Sequence, residues 1–326
     1  MLLDSRGRSR VLRCAGCASR SIVRRGGRSS RRGARALGSR PAKTLFEAGT
    51  QSAVIGLHLE DGRDVVVKIR PPELRLTACH RVQRHIRQHG FPCPEPLVGP
   101  TALGRYTATA EGYEAGGEQL PEAPDRTERF AKALARLTRT MPAVTDIPTL
   151  DPPPAWGWWN HSSRRLWPPP SEGAVDLNAH TEPSWLVEAV TRARTRLRAA
   201  TLPSVLGHSD WQTEHLRWIN GELHMVYDWD SVVALPEATI VGLASAMFAI
   251  TPDNAGASLA ETSDFLGAYA IARGHLWTRE EQELAWAASL WVMAYNAKGE
   301  AIDEAVGPAT AILFAQRDER LRRAGA

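Results

Sequence analysis

Asp210 and Asp228 are the two residues whose type and spacing most suggest chemistry. They lie in one run, residues 202–232, reading LPSVLGHSDWQTEHLRWINGELHMVYDWDSV. Val205 and Leu206 give an apolar approach to Gly207, His208, Ser209 and Asp210. Beyond His215, a second apolar run from Met225 to Tyr227 delivers Asp228, Trp229 and Asp230. Asn220-Gly221 between them is a strong hairpin signal, because a two-residue turn of this kind needs positive φ at both positions. The pattern predicts loop, short strand, tight turn and short strand, with an acid at each end. Such a hairpin brings Asp210 and Asp228 to one edge, where paired carboxylates suit general-base work and Mg2+ binding. The competing reading is a chance His-x-Asp and Asp-x-Asp in a helical protein.

Other elements must position these acids and whatever they act on. Residues 53–59 read as a strand, Asp61-Gly62 as its turn, and residues 64–69 as the returning strand. Residues 47–52, EAGTQS, precede them as a phosphate-facing turn with a single Gly. Lys68 follows three consecutive Val on the returning strand, and a Lys there could reach the α- and β-phosphates of a nucleotide. A surface Lys on an edge strand is the alternative. Residues 74–89 read as a helix with Leu76, Cys79, Val82 and Ile86 on one face, and Gly90 ends it. Gln83 is the polar residue nearest that face. Residues 106–110 read as a strand and 111–117, EGYEAGG, as a flexible connector.

The rest reads as mainly helical. Helices are predicted over 126–140, 185–200, 240–250, 259–274, 278–296 and 302–324, with residues 234–238 turning the chain. Thr278 and Glu281 form a capping-box signature. Residues 148–185 are rich in Pro and Trp and read as a covering loop. Its tryptophans would either cage an ammonium group or, as large aromatics more often do, pack against the helices.

His208-x-Asp210, a polar residue five positions past the Asp, and the later Asp228-Trp229 pair resemble kinase catalytic and metal-binding loops. The closer likeness is to the aminoglycoside phosphotransferase and choline kinase-like family of small-molecule kinases. That family's pattern is His-Gly-Asp-x-x-x-x-Asn, then Ile-Asp-Trp/Phe-Glu/Asp. Gly90-Phe91-Pro92-Cys93-Pro94 is similar to its Gly-x-Pro-x-Pro segment. Ser209 stands where Gly is usual, and His215 where the family places a metal-binding Asn.

The resemblance covers residues 44–326 and implies an α+β, two-lobed, protein-kinase-like fold. Residues 44–115 would be the small antiparallel-sheet lobe that covers the nucleotide. Residues 116–326 would be the larger, mainly helical lobe with the catalytic loop, metal loop and substrate helices. ATP and Mg2+ are the implied cofactors, with Mn2+ suited to the imidazole of His215. Asp210 would accept or orient the proton of a substrate hydroxyl, with His208 supporting its loop. Asp228 would be the main metal ligand, His215 a second, and Asp230 either a helper or a brace. Lys68 would hold phosphates, and the connector with Glu111 and Tyr113 would meet the adenine edge. The family pairs its strand Lys with a helix Glu. That Glu is missing here, with Gln83 and Glu73 the nearest polar residues, so the partner of Lys68 stays open. The implied function is ATP-dependent phosphorylation of a hydroxyl on a small molecule. The alternative is a degraded relative that binds nucleotide or ligand with little turnover.

Composition bounds these readings. The chain has 326 residues and is 43% hydrophobic, enough for a sizeable core. The net charge of +4 is unevenly spread. Residues 1–43 carry 12 Arg and Lys43 against one acid, Asp4, whereas the remainder holds 27 basic and 35 acidic residues. An Arg-rich tail with few apolar residues is expected to be disordered. The acidic body is compatible with a cationic substrate and argues against a nucleic-acid groove, leaving the tail as the only candidate for nucleic acid. Cys14 and Cys17 have metal-ligand spacing but no second pair. Four cysteines in a chain of this length make no disulfide framework, and no apolar run is long enough to cross a membrane. The expected setting is reducing and cytoplasmic.

Overall fold

Antiparallel pairing organises the first part of the chain. The computed structural model describes residues 36–49, 52–171, 174–302 and 306–326. Five strands, β1 (Pro41–Ala48), β2 (Ala53–Leu59), β3 (Asp64–Arg70), β4 (Pro96–Leu103) and β5 (Tyr106–Gly112), pair in the order β1-β2-β3-β5-β4. Asp61-Gly62 makes the β2–β3 turn, Gly62 supplying φ of +87°. Val65 and Ile69 are buried from β3, which sits at the centre of the sheet. Lys68 is therefore on an inner strand, against the edge-strand alternative. Helix α1 (Leu76–Gln88) packs along the edge strand β4 and against residues 229–231, and its buried Cys79, Val82 and Ile86 join the main core rather than the small cluster of the sheet.

Two strands escaped the sequence reading. β4 carries Pro96 and Pro100 at the sheet edge, where a missing N–H costs no ladder bond, and these prolines leave no strand signal to read. β1 is exposed along nearly its whole length and so has no apolar alternation to betray it. Its position corrects the predicted tail, whose last residues are ordered. Leu37 is buried with Leu59, Val65 and Ala110. Arg63 donates to Leu37 O at 2.6 Å, and Glu60 N–H to Arg40 O at 2.9 Å. The rest of the tail, with Cys14 and Cys17, lies outside the described residues, as do two residues of the phosphate-facing turn.

The second part is mostly helical. Helix α2 (Arg126–Thr140) matches its predicted span. Helix α3 (Ser184–Arg198) leads to β6 (Ser204–His208), then to the hairpin β7 (Leu216–Ile219) and β8 (Glu222–Val226), and to β9 (Val232–Pro236). The hairpin turns at Asn220 and Gly221 with φ of +50° and +78°, as predicted. β9 pairs with β6, which corrects the reading of residues 234–236 as a turn. Helices α4 (Glu237–Met247), α5 (Leu259–Arg273), α6 (Arg279–Ile302) and α7 (Pro308–Arg323) complete the chain. α4 is buried from Ala238 to Met247, and Gly242 lets it approach α6. A Cβ at that position would stand 2.2 Å from Ala285 O. Thr278 and Glu281 make the predicted capping box, with Glu281 N–H donating to Thr278 Oγ at 3.2 Å and Thr278 N–H to Glu281 Oε2 at 2.8 Å.

Packing decides most of the tryptophan question. Trp159 and Trp167 lie against Trp291 of α6, with ring centroids 6.3 Å and 5.4 Å away. Among the described residues no helix is long and apolar enough to cross a membrane.

Candidate active site

β6 and β9 are the paired rails on which the candidate catalytic loop sits. His208 ends β6 and is fully buried. Its Nδ1 accepts from Asp210 N–H at 3.2 Å, which leaves Nε2–H to donate to Tyr227 O at 3.0 Å. Burial pushes its pKa down to about 4, so the ring stays neutral and spans the two acid-bearing loops. Ser209 donates both N–H (2.9 Å) and Oγ–H (2.8 Å) to Ser231 O, so the hydroxyl that replaces a Gly hydrogen is fully used. Trp156 of the covering loop donates Nε1–H to Ser209 O at 3.2 Å.

Asp210 follows. Gln212 donates its amide to Asp210 Oδ1 at 2.9 Å, and His215 Nδ1 lies 3.5 Å from Oδ2. Burial raises the Asp210 pKa to about 6, against the pull of His215. His215 Nδ1–H donates to Asp210 O at 2.9 Å. Burial disfavours its charge, but the carboxylates of Asp210 and Asp228 outweigh that and raise its pKa. Tyr295 of α6 is close enough to Asp210 to respond to its charge. Burial, with that carboxylate behind it, pushes the Tyr295 hydroxyl up to about 12.

Asp228 leaves β8 in the left-handed region, with φ of +65°. That conformation costs a non-Gly residue energy and re-aims its carboxylate. Ser231 holds it, donating Oγ–H to Oδ2 at 2.8 Å and N–H to Asp228 O at 3.0 Å. Burial opposes its charge, but Lys68, at 3.6 Å, and His215 more than offset this and hold the carboxyl well below its usual range. Asp210, His215 and Asp228 each offer one ligand atom, all within 4.8 Å of one another. Two carboxylates and an imidazole fit a divalent cation. The nitrogen suits Mn2+, Co2+ or Zn2+ better than Mg2+.

Asp230 is not part of that group. Its carboxylate pairs with Arg70 and lies 3.5 Å from Lys68, which fits a brace better than a metal ligand. Lys68 is 11% exposed and also meets Glu111 at 3.5 Å. Glu111 thus occupies the role left open by the missing helix Glu, but from β5. Gln83 of α1 donates its amide to Glu111 Oε2 at 2.9 Å and to Pro94 O at 3.1 Å. These contacts correct two expectations. Glu111 is strand rather than connector, its carboxylate taken by Gln83 and Lys68, and the Gln83 amide is spent on Glu111 and Pro94 O. Tyr113 is 40% exposed, its ring tilted on Phe46, and its N–H donates to Asp64 O at 3.0 Å. That N–H is therefore not the donor for an adenine edge.

Sequence reasoning missed Arg70, Gln212, Tyr295 and Ser231, and took Trp156 only as one of the covering-loop tryptophans. Only Arg70 had a signal, standing two residues past Lys68 and so on the same face of its strand.

A sequence profile described as "Phosphotransferase enzyme family" matches residues 44–281. No curated protein sequence matches the chain. Among solved structures, an amicoumacin kinase in complex with AMP-PNP and Ca2+ shares 13% identity and a TM-score of 0.64, covering 90% of this chain and 92% of its own. A thermostable aminoglycoside phosphotransferase mutant, in a ternary complex with ADP and hygromycin B, has 13% identity and a TM-score of 0.54, covering 91% and 99%. An aminoglycoside phosphotransferase from Alicyclobacillus acidocaldarius has 11% identity and a TM-score of 0.53, covering 88% and 92%. These likenesses show a shared protein-kinase-like fold.

Proposed function

The chain belongs to the phosphotransferase enzyme family, and from that premise we propose that it moves the γ-phosphoryl group of ATP to a hydroxyl of a small molecule. The observation that carries this is the convergence of Lys68, Asp228, Asp210 and His215 from both parts of the chain on one half-buried cleft. In this reading residues 44–115 cover the nucleotide and residues 116–326 hold the acceptor. Lys68, oriented by Glu111, meets the phosphates. Asp228, Asp210 and His215 hold a divalent metal, which when bound neutralises charge on the phosphate oxygens. Asp210, oriented by Gln212, accepts or directs the proton of the attacking hydroxyl. Phosphoryl transfer is largely positioning and charge stabilisation, so one well-placed carboxylate on the nucleophile's side suffices. Trp156 and Tyr295 border that side, and with Asp210 and Glu214 they suit a cationic or ring-bearing acceptor. The nucleotide and divalent ion in the amicoumacin kinase complex support this reading.

A second reading, nucleotide binding with little turnover, rests on His215. Its Nδ1–H is committed to Asp210 O, and the flanking carboxylates favour the imidazolium, which offers a metal no lone pair. Calorimetric titration with ATP plus Mg2+ or Mn2+ tests binding. ADP release in the presence of amino alcohols, aminoglycosides and macrolides tests turnover. Metal-dependent binding with release above the no-acceptor rate supports the kinase. Binding with no release for any acceptor supports the second reading, and no binding sinks both.

A further inference from the structure

Arg70 is a deeply placed charge in the cleft that the reaction, as described so far, does not use. β3 ends Lys68-Ile69-Arg70, and Ile69 is buried on the opposite face. Lys68 and Arg70 therefore project together into the cleft. Both end on one carboxylate. Arg70 pairs with Asp230 Oδ2, and Lys68 Nζ lies 3.5 Å from Asp230 Oδ1. The backbone at Asp230 is tied as well, because the buried Arg75 donates to Asp230 O and Val232 O. The loop after Asp228 is thus fastened to the end of β3 by Arg70 and to the start of α1 by Arg75.

We propose that Arg70 is a positioning residue which neutralises Asp230 so that Lys68 can exchange a carboxylate for nucleotide phosphate. The proposal rests on the kinase reading of this site. Lys68 stands among three carboxylates, with Glu111 at 3.5 Å, Asp228 at 3.6 Å and Asp230 at 3.5 Å. Glu111 orients it and Asp228 belongs to the metal group. Asp230 has neither task. Left alone, it would hold Lys68 and set an uncompensated negative charge beside the phosphates. Arg70, with its side chain 10% exposed, removes that charge from the balance. Its Nε has no hydrogen-bond partner among the described residues, and Arg70 lines a small cavity together with Lys68, Gln83, Glu111 and Asp230. A guanidinium so placed is retained for its charge rather than for a full set of hydrogen bonds.

Charge screening has an unusual signature. Removing Arg70 should harm nucleotide binding, and removing Asp230 as well should repair it. A direct phosphate contact by Arg70 would not be repaired. A purely structural pair would show this reversal in melting, since a buried pair can be replaced jointly at little cost while loss of one partner is expensive, but the folded variants would all bind nucleotide like wild type. The test is calorimetric binding of ATP with Mn2+ to wild type, R70M and R70M/D230N, with thermal melting of each. We expect R70M to bind at least tenfold more weakly than wild type and the double variant to return to within threefold. R70M binding like wild type overturns the proposal, and so does a double variant as weak as R70M. If R70M alone does not fold, the double variant, which buries no lone charge, is compared with wild type directly. Binding within threefold supports screening, and a tenfold loss overturns it. Wild type that binds no nucleotide removes the kinase reading, and this proposal with it.

Discussion

Gln83 donates its side-chain amide to Glu111 Oε2 at 2.9 Å, and the other oxygen of Glu111 faces Lys68 at 3.5 Å. An amide on α1 and a carboxylate on β5 thereby share the task that a helix acid would do alone. The amide holds the carboxylate still, and the carboxylate holds the ammonium toward the cleft.

This arrangement makes a swap experiment informative. Gln83→Glu puts two buried carboxylates at hydrogen-bond distance and leaves Pro94 O without its donor. We expect a loss of stability on the order of 1–3 kcal/mol, the usual cost of a buried polar group that loses its partner. Combining Gln83→Glu with Glu111→Gln restores one acid and one amide. The double variant should melt closer to wild type than Gln83→Glu does. Thermal melting of the three proteins checks this, and equal melting of single and double variants would count against the pairing.

Asp228 offers a sharper test of the cleft. Its strained φ of +65° and its bonds from Ser231 fix the carboxylate between Lys68 and His215. Asp228→Ala should abolish the metal-dependent part of ATP binding, as should EDTA on wild type, while the far-ultraviolet circular dichroism stays unchanged. Retained metal-dependent binding in the variant would remove the metal role from this residue. Asp228→Gly, which tolerates the left-handed backbone, should melt no lower than Asp228→Ala.

The buried cysteines predict a pH response. Burial pushes the Cys93 thiol up to about 12 and raises Cys79 as well. Raising a thiol pKa removes thiolate, and at pH 8 roughly one Cys93 in ten thousand would be ionised even if reagent could reach it. In a full chain carrying Cys14→Ser and Cys17→Ser, Ellman's reagent should therefore label no thiol quickly at pH 8. Denaturation should release two. Rapid labelling of the native protein would show that α1 or the segment after it opens.

How much of this was legible in the chain depended on exposure and on distance. The hairpin could be read because Asn220-Gly221 dictates a turn and the flanking acids sit at fixed offsets from it. Helices with one apolar face, such as residues 126–140, could be read from their period. β1 could not, because an exposed edge strand carries no alternation, and β4 hid behind its prolines. β9 read as a turn because its partner, β6, lies more than twenty residues upstream and no local signal marks the pairing. The candidate acids Asp210 and Asp228 were visible as a motif. Their supports were not, since Gln83 with Glu111 and Arg70 with Asp230 meet only after the sheet and the loops fold together.

His215 is where the site departs furthest from the family pattern, so its replacement gives the most direct reading of activity. An Asn at this position would offer an amide oxygen to a hard cation and an N–H₂ to Asp210. The imidazole instead spends Nδ1–H on Asp210 O, 2.9 Å away, and sits between two carboxylates that favour its charged form. Both features oppose Mg2+, which takes oxygen ligands and keeps its waters. Nitrogen ligation, where it occurs, favours Mn2+ over Mg2+. We therefore expect His215→Asn to raise Mg2+-dependent turnover about tenfold, equivalent to about 1.4 kcal/mol of barrier. The ratio of Mn2+ to Mg2+ activity should fall at the same time. Losing the imidazole, whose charged form these carboxylates favour, also leaves Asp210 and Asp228 facing each other, so the metal-free variant should melt below wild type and recover when Mg2+ is added. ADP release with each metal, on the same acceptor, and melting with and without Mg2+ measure all three effects. Lower activity with both metals would mean that His215 has its own part in the reaction, and the low-turnover reading would then lose its support.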